Sequence, residues 1–396
     1  VSTSGKMRYY GLDSVRVSMM MLVLIAHAGA SYVDRPSQNW GNFHDAKYNH
    51  PFFEYLFLVI NVFCMPVFFV LSGFFTALII QQKGVRYMIS NRFKRIFLPF
   101  VVFLILIFPI AYVGFRVAAS GSLQQGEVAI RALLNGQVYW GLIHLWFMYY
   151  LWLLCIVAAG VLFVVNKLPA QWRQAGMALF ERVATSRFYL LIPGFISYLA
   201  LLQMYGPWTE TPASFKPSPR MLLLFGIFFG YGWLLQHSRH LLQRFTVRPW
   251  LNTGLGLIFG IAYLLVLFNP QVFPTPAAYF ATAMAMSASC MWTFIAGLIG
   301  LGLRHNNPTP FNTVLAQASY WIYLVHLPLA IWIPYALLDW QVSVFIKFGV
   351  TLTGILLLTF GSYLLLVRST FIGRFLNGRT YPPIALKWLK LQTQSA

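Results

Sequence analysis

An all-α bundle of about ten transmembrane helices, with both termini cytoplasmic, is the fold this sequence predicts, and three observations predict it. Of the 396 residues, 59% are apolar and only 9% are charged, which would leave a water-soluble domain with large exposed apolar patches. The apolar residues gather into stretches of roughly 20, the length that crosses a hydrocarbon core at about 1.5 Å per residue. The 28 Lys and Arg stand in short runs between those stretches.

The first stretch, 12–33, is too long for a signal-peptide apolar region and lacks a small-residue cleavage site, so it is expected to stay as the first span. Stretches 52–81, 96–118 and 143–166 follow with the same length logic. The next two, 188–205 and 220–236, are shorter and flanked by Pro207, Pro217 and Pro219. Stretches 250–269, 276–303, 318–337 and 344–367 complete the ten. No composition shift or solenoid-period repeat divides the chain. Residues 1–396 are therefore read as a single transmembrane domain, with core spans in 12–367 and a basic cytoplasmic tail at 368–396.

Orientation follows from the alternating loops. With a cytoplasmic N-terminus, twenty Lys and Arg fall inside, including Lys6, Arg8, Lys83, Lys167, Arg304, Lys387 and Lys390, and seven outside: Arg35, Lys47, Arg116, Arg131, Lys216, Arg220 and Lys347. That distribution also accounts for the net charge of +20 without nucleic acid, because no basic surface is interleaved with base-stacking aromatics. The expected location is a bacterial inner membrane, crossed many times, with lipid as the surrounding partner. Cys64, Cys155 and Cys290 each sit inside an apolar stretch with no CxxC spacing, so neither a metal site nor a disulfide is expected.

An ionisable side chain within a span is costly and marks function. Arg16 is the one basic residue left inside a span by the loop count, and His27 follows eleven residues later. At 100° per residue this spacing is about 20° past three full turns, so both project from one face, separated by about 16 Å. The plain alternative is a snorkelling Arg and a His in a polar core contact. Arg92 and Arg95 are i,i+3 neighbours opening the third span, suited either to a phosphate group or to anchoring at the membrane surface. Further polar points are Ser72 in the second span, His144 opening the fourth beside Trp140 and Trp146, and Tyr323 and His326 in the ninth. Trp140 and Trp146 read as interfacial belt residues or as a sugar-stacking face with His144. The span count places His27 and His326 near mid-membrane.

Taken in order, Asp13 and Arg16 with His27, the run Cys64–Phe75 containing Ser72-Gly73-Phe74, Arg92-x-x-Arg95, His144-Leu145-Trp146-Phe147 and the run Ser319–His326 resemble acyltransferase family 3 of the membrane O-acyltransferases. The resemblance extends, with gaps, from about residue 9 to 367, and residues 206–317 carry little of it. Within the family the chain is most similar to the branch that succinylates periplasmic glucans, since it ends without an extracytoplasmic esterase-like domain. The resemblance implies an acyl-CoA donor, succinyl-CoA first and acetyl-CoA next, with no metal, and a glucan or other extracytoplasmic carbohydrate as acceptor. It places the catalytic role on His27, with His326 or Tyr323 stabilising the oxyanion. Arg16, Arg92, Arg95 and Ser72 are expected at the donor, and His144, Trp146 and Trp140 at the acceptor. His27 serves either as general base for direct attack or as a relay that is itself acylated, and the sequence leaves both open. It also leaves the oligomeric state open. The rival class is a transporter or flippase using Arg16, His27 and His326 as a substrate or proton path, for which no inverted repeat is found.

Overall fold

The computed structural model describes residues 9–35, 40–41, 43–307 and 309–382, and among these there is helix and no strand. Lys6, Arg8, Lys387 and Lys390, counted above for orientation, lie outside the described residues, as does the tail beyond residue 382. The helices are α1 Tyr10–Gly29, α2 Pro51–Arg92, α3 Leu98–Ser120, α4 Gln124–Leu134, α5 Trp146–Val165, α6 Ala170–Thr185 and α7 Leu191–Leu201. They continue with α8 Pro219–His237, α9 Leu242–Phe245, α10 Pro249–Phe268, α11 Pro276–Arg304, α12 Pro310–Ala336, α13 Val344–Ser362 and α14 Phe371–Asn377.

Seven helical stretches among the described residues are long and apolar enough to cross a membrane, or eight if α8 and α9, which meet at 104°, make one bent span. One of the seven, Pro51–Ser120, has 70 residues. Straight, it would be about 105 Å long, far more than a bilayer needs. It is not straight. Gly84 adopts φ 82° and ψ 168°, a conformation open to glycine because it has no Cβ. Arg92 Nη2 then donates to Thr76 Oγ1 at 3.1 Å across 16 residues of sequence. Along a continuous helix those residues would stand about 24 Å apart. The chain therefore reverses at Gly84, midway between them, leaving two helical arms each long enough to cross.

At the expected span 188–205 only α7 is α-helical, 11 residues or about 16 Å, half the thickness of a hydrocarbon core. Its neighbour at 220–236 appears as α8, with Pro219 in the first helical turn, where a missing N–H costs nothing. Two helices outside the expected spans, α4 and α6, carry too many polar residues to read as crossings.

Helix α1 lies at the centre, packed against α2, α11, α12 and α13. Backbones come close where side chains are absent, the usual basis of helix association in lipid. A Cβ on Gly73 of α2 would collide with the Phe229 carbonyl of α8, and one on Gly232 of α8 with the Val70 carbonyl of α2. Each glycine is three residues from the carbonyl its own helix offers, so the two helices lock reciprocally. The Ser72-Gly73-Phe74 motif thus has a packing reason. Cys64, Cys155 and Cys290 are free and buried, as their apolar settings predict.

Candidate functional site

The site is assembled on α12 by two prolines. Pro328 has no N–H, so the Leu324 carbonyl four residues earlier loses its helical donor. His144 Nε2 takes that place, 3.3 Å from Leu324 O and 3.1 Å from Tyr323 O. Pro334 frees the Ala330 carbonyl in the same way, and Ser31 Oγ, just past α1, donates to it at 3.4 Å. Trp40 Nε1 in turn donates to Ser31 Oγ at 3.1 Å, which brings the Trp40 ring to 5.4 Å from that of His27. The segment carrying Trp40 is secured by a buried ion pair, Asp45 to Lys347 of α13, at 2.7 Å.

Three histidines from distant parts of the chain meet here. His27 Nδ1 and His326 Nε2 are 2.7 Å apart with their rings nearly parallel, and the His144 ring stands almost perpendicular to that of His326 at 4.9 Å. The partners assign the protons. His326 Nδ1 lies 2.7 Å from Tyr323 O, and a carbonyl only accepts, so Nδ1 carries the hydrogen and Nε2 offers its lone pair. His27 Nδ1 must then donate to His326. That leaves His27 Nε2 as a free basic nitrogen. His144 follows the same logic: Nε2 donates to carbonyls, and Nδ1 is buried without a hydrogen-bond partner.

Both free nitrogens belong to residues lining one cavity of about 240 Å³, shared with Trp40, Asn61, Cys64, Met65, Phe115, Trp146, Phe147, Tyr323 and Leu327 among others. The turn that delivers His144 is strained. Ile143 holds φ 43°, the single positive φ at a non-glycine residue among those described. A β-branched side chain there costs on the order of 1–3 kcal/mol, a strain that persists where the surroundings dictate the geometry. Tyr323 reinforces the turn by donating its hydroxyl proton to His144 O at 2.6 Å.

The other expected site residues distribute differently. His144, expected near the outer interface, is buried against His326. His27 lies in the last turn of α1, about 25 Å from its Tyr10 end, rather than midway along the span. Tyr323 spends its hydroxyl on the His144 carbonyl, which removes it as an oxyanion donor in this arrangement. Trp146 lines the cavity, whereas Trp140 stacks on Phe108 at 4.6 Å and does not. Ser72 is on α2, about 10 Å along the axis from Met65, and is not part of the cavity lining.

Arg16 pairs with Asp13 at 3.4 Å, the i,i+3 contact its spacing suggests, and its side chain is 52% exposed. Arg92 and Arg95 part company. Arg92 turns inward to Thr76, with Nε buried and without a partner, and lies within electrostatic reach of Arg16. Arg95 donates to the carbonyls of Arg374, at 2.6 Å, and Phe375, capping α14. The π-helical turn Phe93–Phe97, which follows Arg92 and contains Arg95, redirects the second guanidinium.

Trp40, Asn61 and the Asp45–Lys347 pair are site features that sequence reasoning missed. Asp45 and Lys347 are 302 residues apart, and each looks like an ordinary loop charge. The signal that was legible, in hindsight of the geometry, is the pair of prolines following His326 on an otherwise regular helix.

The arrangement holds a basic nitrogen in a fixed tautomer beside a small, mostly apolar cavity, while two Arg residues collect at the other end of α1. Such a layout suits removal of a hydroxyl proton next to a thioester or ester carbon. No solved structure shows a significant similarity to the chain. Among curated proteins, Glucans biosynthesis protein C of Salmonella typhi and of Salmonella typhimurium are each 24% identical over 327 residues, covering 82% of this chain and 83% of the relative. Glucans biosynthesis protein C of Salmonella paratyphi B is 24% identical over 329 residues with the same coverage. The acyltransferase domain model matches residues 9–367, spanning every helix that contributes to the cavity, and the chain therefore belongs to this family, acyltransferase family 3.

Proposed function

We propose that this protein is an acyl-CoA-dependent O-acyltransferase of the bacterial inner membrane, a single domain that moves an acyl group from a cytoplasmic donor to a hydroxyl of an extracytoplasmic glucan or related carbohydrate. The observation that carries the reading is that His27, whose Nε2 is left free by the His326 contact, lines the 240 Å³ cavity. The glucan acceptor is supported by the name of the relatives. Counting the reversal at Gly84, the bent α8 span and the short α7, the chain crosses ten times, with both termini cytoplasmic on the twenty-to-seven charge bias. A reporter fused after Lys83 or Lys167 should read cytoplasmic and one after Asp45 periplasmic; opposite readings at two of these sites would reverse the donor side.

The donor's phosphates meet Arg92 and Arg16, and the pantetheine arm runs the roughly 16 Å along α1 from Arg16 to His27. The acceptor hydroxyl gives its proton to His27 Nε2 as its oxygen bonds to the thioester carbonyl carbon. The carbon–sulfur bond breaks, and the departing thiolate takes the proton back from His27. In the relay route, Nε2 bonds to the carbonyl carbon as the carbon–sulfur bond breaks and the thiolate leaves with the imidazolium proton; the acceptor oxygen then takes the acyl group as the nitrogen–carbon bond breaks, and its proton returns to the imidazole. The same nitrogen serves both. Mass spectrometry of wild type with donor and no acceptor separates them, an acyl adduct on His27 marking the relay.

The diverging side chains of Arg92 and Arg95 make a kinetic prediction. Arg92→Ala should raise the donor KM about tenfold or more with kcat little changed, because it removes ground-state binding of an anion. Arg95→Ala should leave the donor KM within about threefold and instead loosen α14, read as faster proteolysis after residue 370. A larger KM effect at Arg95 than at Arg92 would return the donor phosphates to the α14 side.

A further inference from the structure

The cavity that receives the reacting groups contains no charged side chain. Among the described residues, no Lys, Arg, Asp or Glu lines it, and residues 36–39 and 42 of the adjoining Trp40 segment contain neither Lys nor Arg in the sequence. The cations of the bundle are elsewhere. Arg16 is eleven residues from His27 on α1, about 16 Å, and the Arg92 guanidinium is held at Thr76, twelve residues and about 18 Å along α2 from Cys64. Toward the other end, Lys347 is committed to Asp45 at 2.7 Å and Arg220 to Glu210 at 2.9 Å. Arg116, next to the lining residue Phe115, is exposed.

The two imidazole nitrogens left free at the cavity, His27 Nε2 and His144 Nδ1, both accept hydrogen bonds, since the opposite sides of the rings are spent on His326 and on carbonyls. The other polar residues of the lining, Asn61, Thr211 and Trp146 among them, are neutral. A hydroxyl, which donates, satisfies the two nitrogens. A carboxylate does not, because it too only accepts. A dicarboxylic acyl chain such as succinyl carries its free carboxylate a few bonds from the thioester carbon, so that anion would lie in a mostly apolar lining with no cation beside it. Stripping a carboxylate of water without replacing its partners is strongly unfavourable.

We propose that the site transfers a short, uncharged acyl group and discriminates against acyl groups that end in a carboxylate. The inference rests on the acyl-CoA-dependent reading above and reverses the donor order that the family resemblance implies, placing acetyl ahead of succinyl. The covalent step is unchanged: the acceptor oxygen bonds to the carbonyl carbon, the thioester carbon–sulfur bond breaks, and the hydroxyl proton passes through His27 to the thiolate.

The experiment compares acetyl-CoA, butyryl-CoA and succinyl-CoA with full-length protein in lipid nanodiscs, using a β-linked glucose oligosaccharide as acceptor and measuring both CoA thiol release and acyl-sugar by mass spectrometry. Butyryl matches succinyl in chain length without its charge. Acetyl and butyryl donors should both be used, with kcat/KM for succinyl-CoA at least about 10²-fold below butyryl-CoA. Met65→Lys, which puts a cation at the lining, should narrow that ratio by tenfold or more. Succinyl-CoA within tenfold of butyryl-CoA overturns the inference while leaving acyl transfer intact. Rejection of butyryl and succinyl alike overturns it in favour of size as the filter. If none of the three donors releases CoA, the acyltransferase mechanism and this inference fall together.

Discussion

His27→Ala is expected to insert normally, to bind CoA as wild type does, and to lose acyl transfer by two or more orders of magnitude. The reason is geometric. The one imidazole nitrogen left free by the His326 contact belongs to a residue lining the cavity, and proton removal by a positioned histidine is worth about 10²–10⁴ in rate. His27→Gln should fare no better, since an amide keeps the hydrogen bonding to His326 but cannot take a proton. Loss of kcat with donor binding preserved separates chemistry from folding and binding. Near-normal turnover in His27→Ala would move the base to His144, whose Nδ1 is the other free nitrogen at the cavity.

The second large effect belongs to His326, a positioning residue. Its Nδ1–H on the Tyr323 carbonyl leaves Nε2 as the acceptor that holds His27 in the tautomer with Nε2 unprotonated. Removing the group that fixes a catalytic histidine's tautomer costs on the order of 10²–10⁴ in kcat in comparable arrangements. His326→Phe should therefore lose at least about 10² in kcat even though it fills the buried volume. His326→Gln, whose amide oxygen reaches about as far as the imidazole nitrogen and accepts from His27, should keep most of what Phe loses. Filling space alone predicts the opposite order, because Phe packs better than Gln in an apolar bundle. Measured kcat for the two variants at equal membrane expression decides between them.

Much of the fold was readable from the residues. Apolar stretches of roughly 20 locate α1, α3, α5, α10, α11 and α13 to within a few residues, because lipid demands that each crossing satisfy its backbone internally. The reading failed where helicity and hydrophobicity come apart. At α7 an apolar run is helical for only 11 residues, and α4 and α6 are helices whose polar faces conceal them. At the site, His27, His326 and His144 were singled out separately, each on the cost of an ionisable group in a span or on its aromatic neighbours. Nothing in their spacing showed that they touch.

By itself, then, the sequence determined the class of protein, the approximate spans, the alternation of basic loops and the identity of the histidines, all of which follow from local composition and helical period. The tertiary structure alone decided that His27 hands its Nδ1 proton to a residue 299 positions away, that Arg92 and Arg95 serve different partners, and that a reversal at Gly84 brings Arg92 back to Thr76. It also decided that, among the described residues, no Lys or Arg lines the cavity. The physical reason is that a period of 3.6 residues specifies which face of its own helix a side chain occupies. Which face of another helix it meets depends on glycine-mediated backbone approach and on the carbonyls that prolines release, and those are set only when the bundle packs.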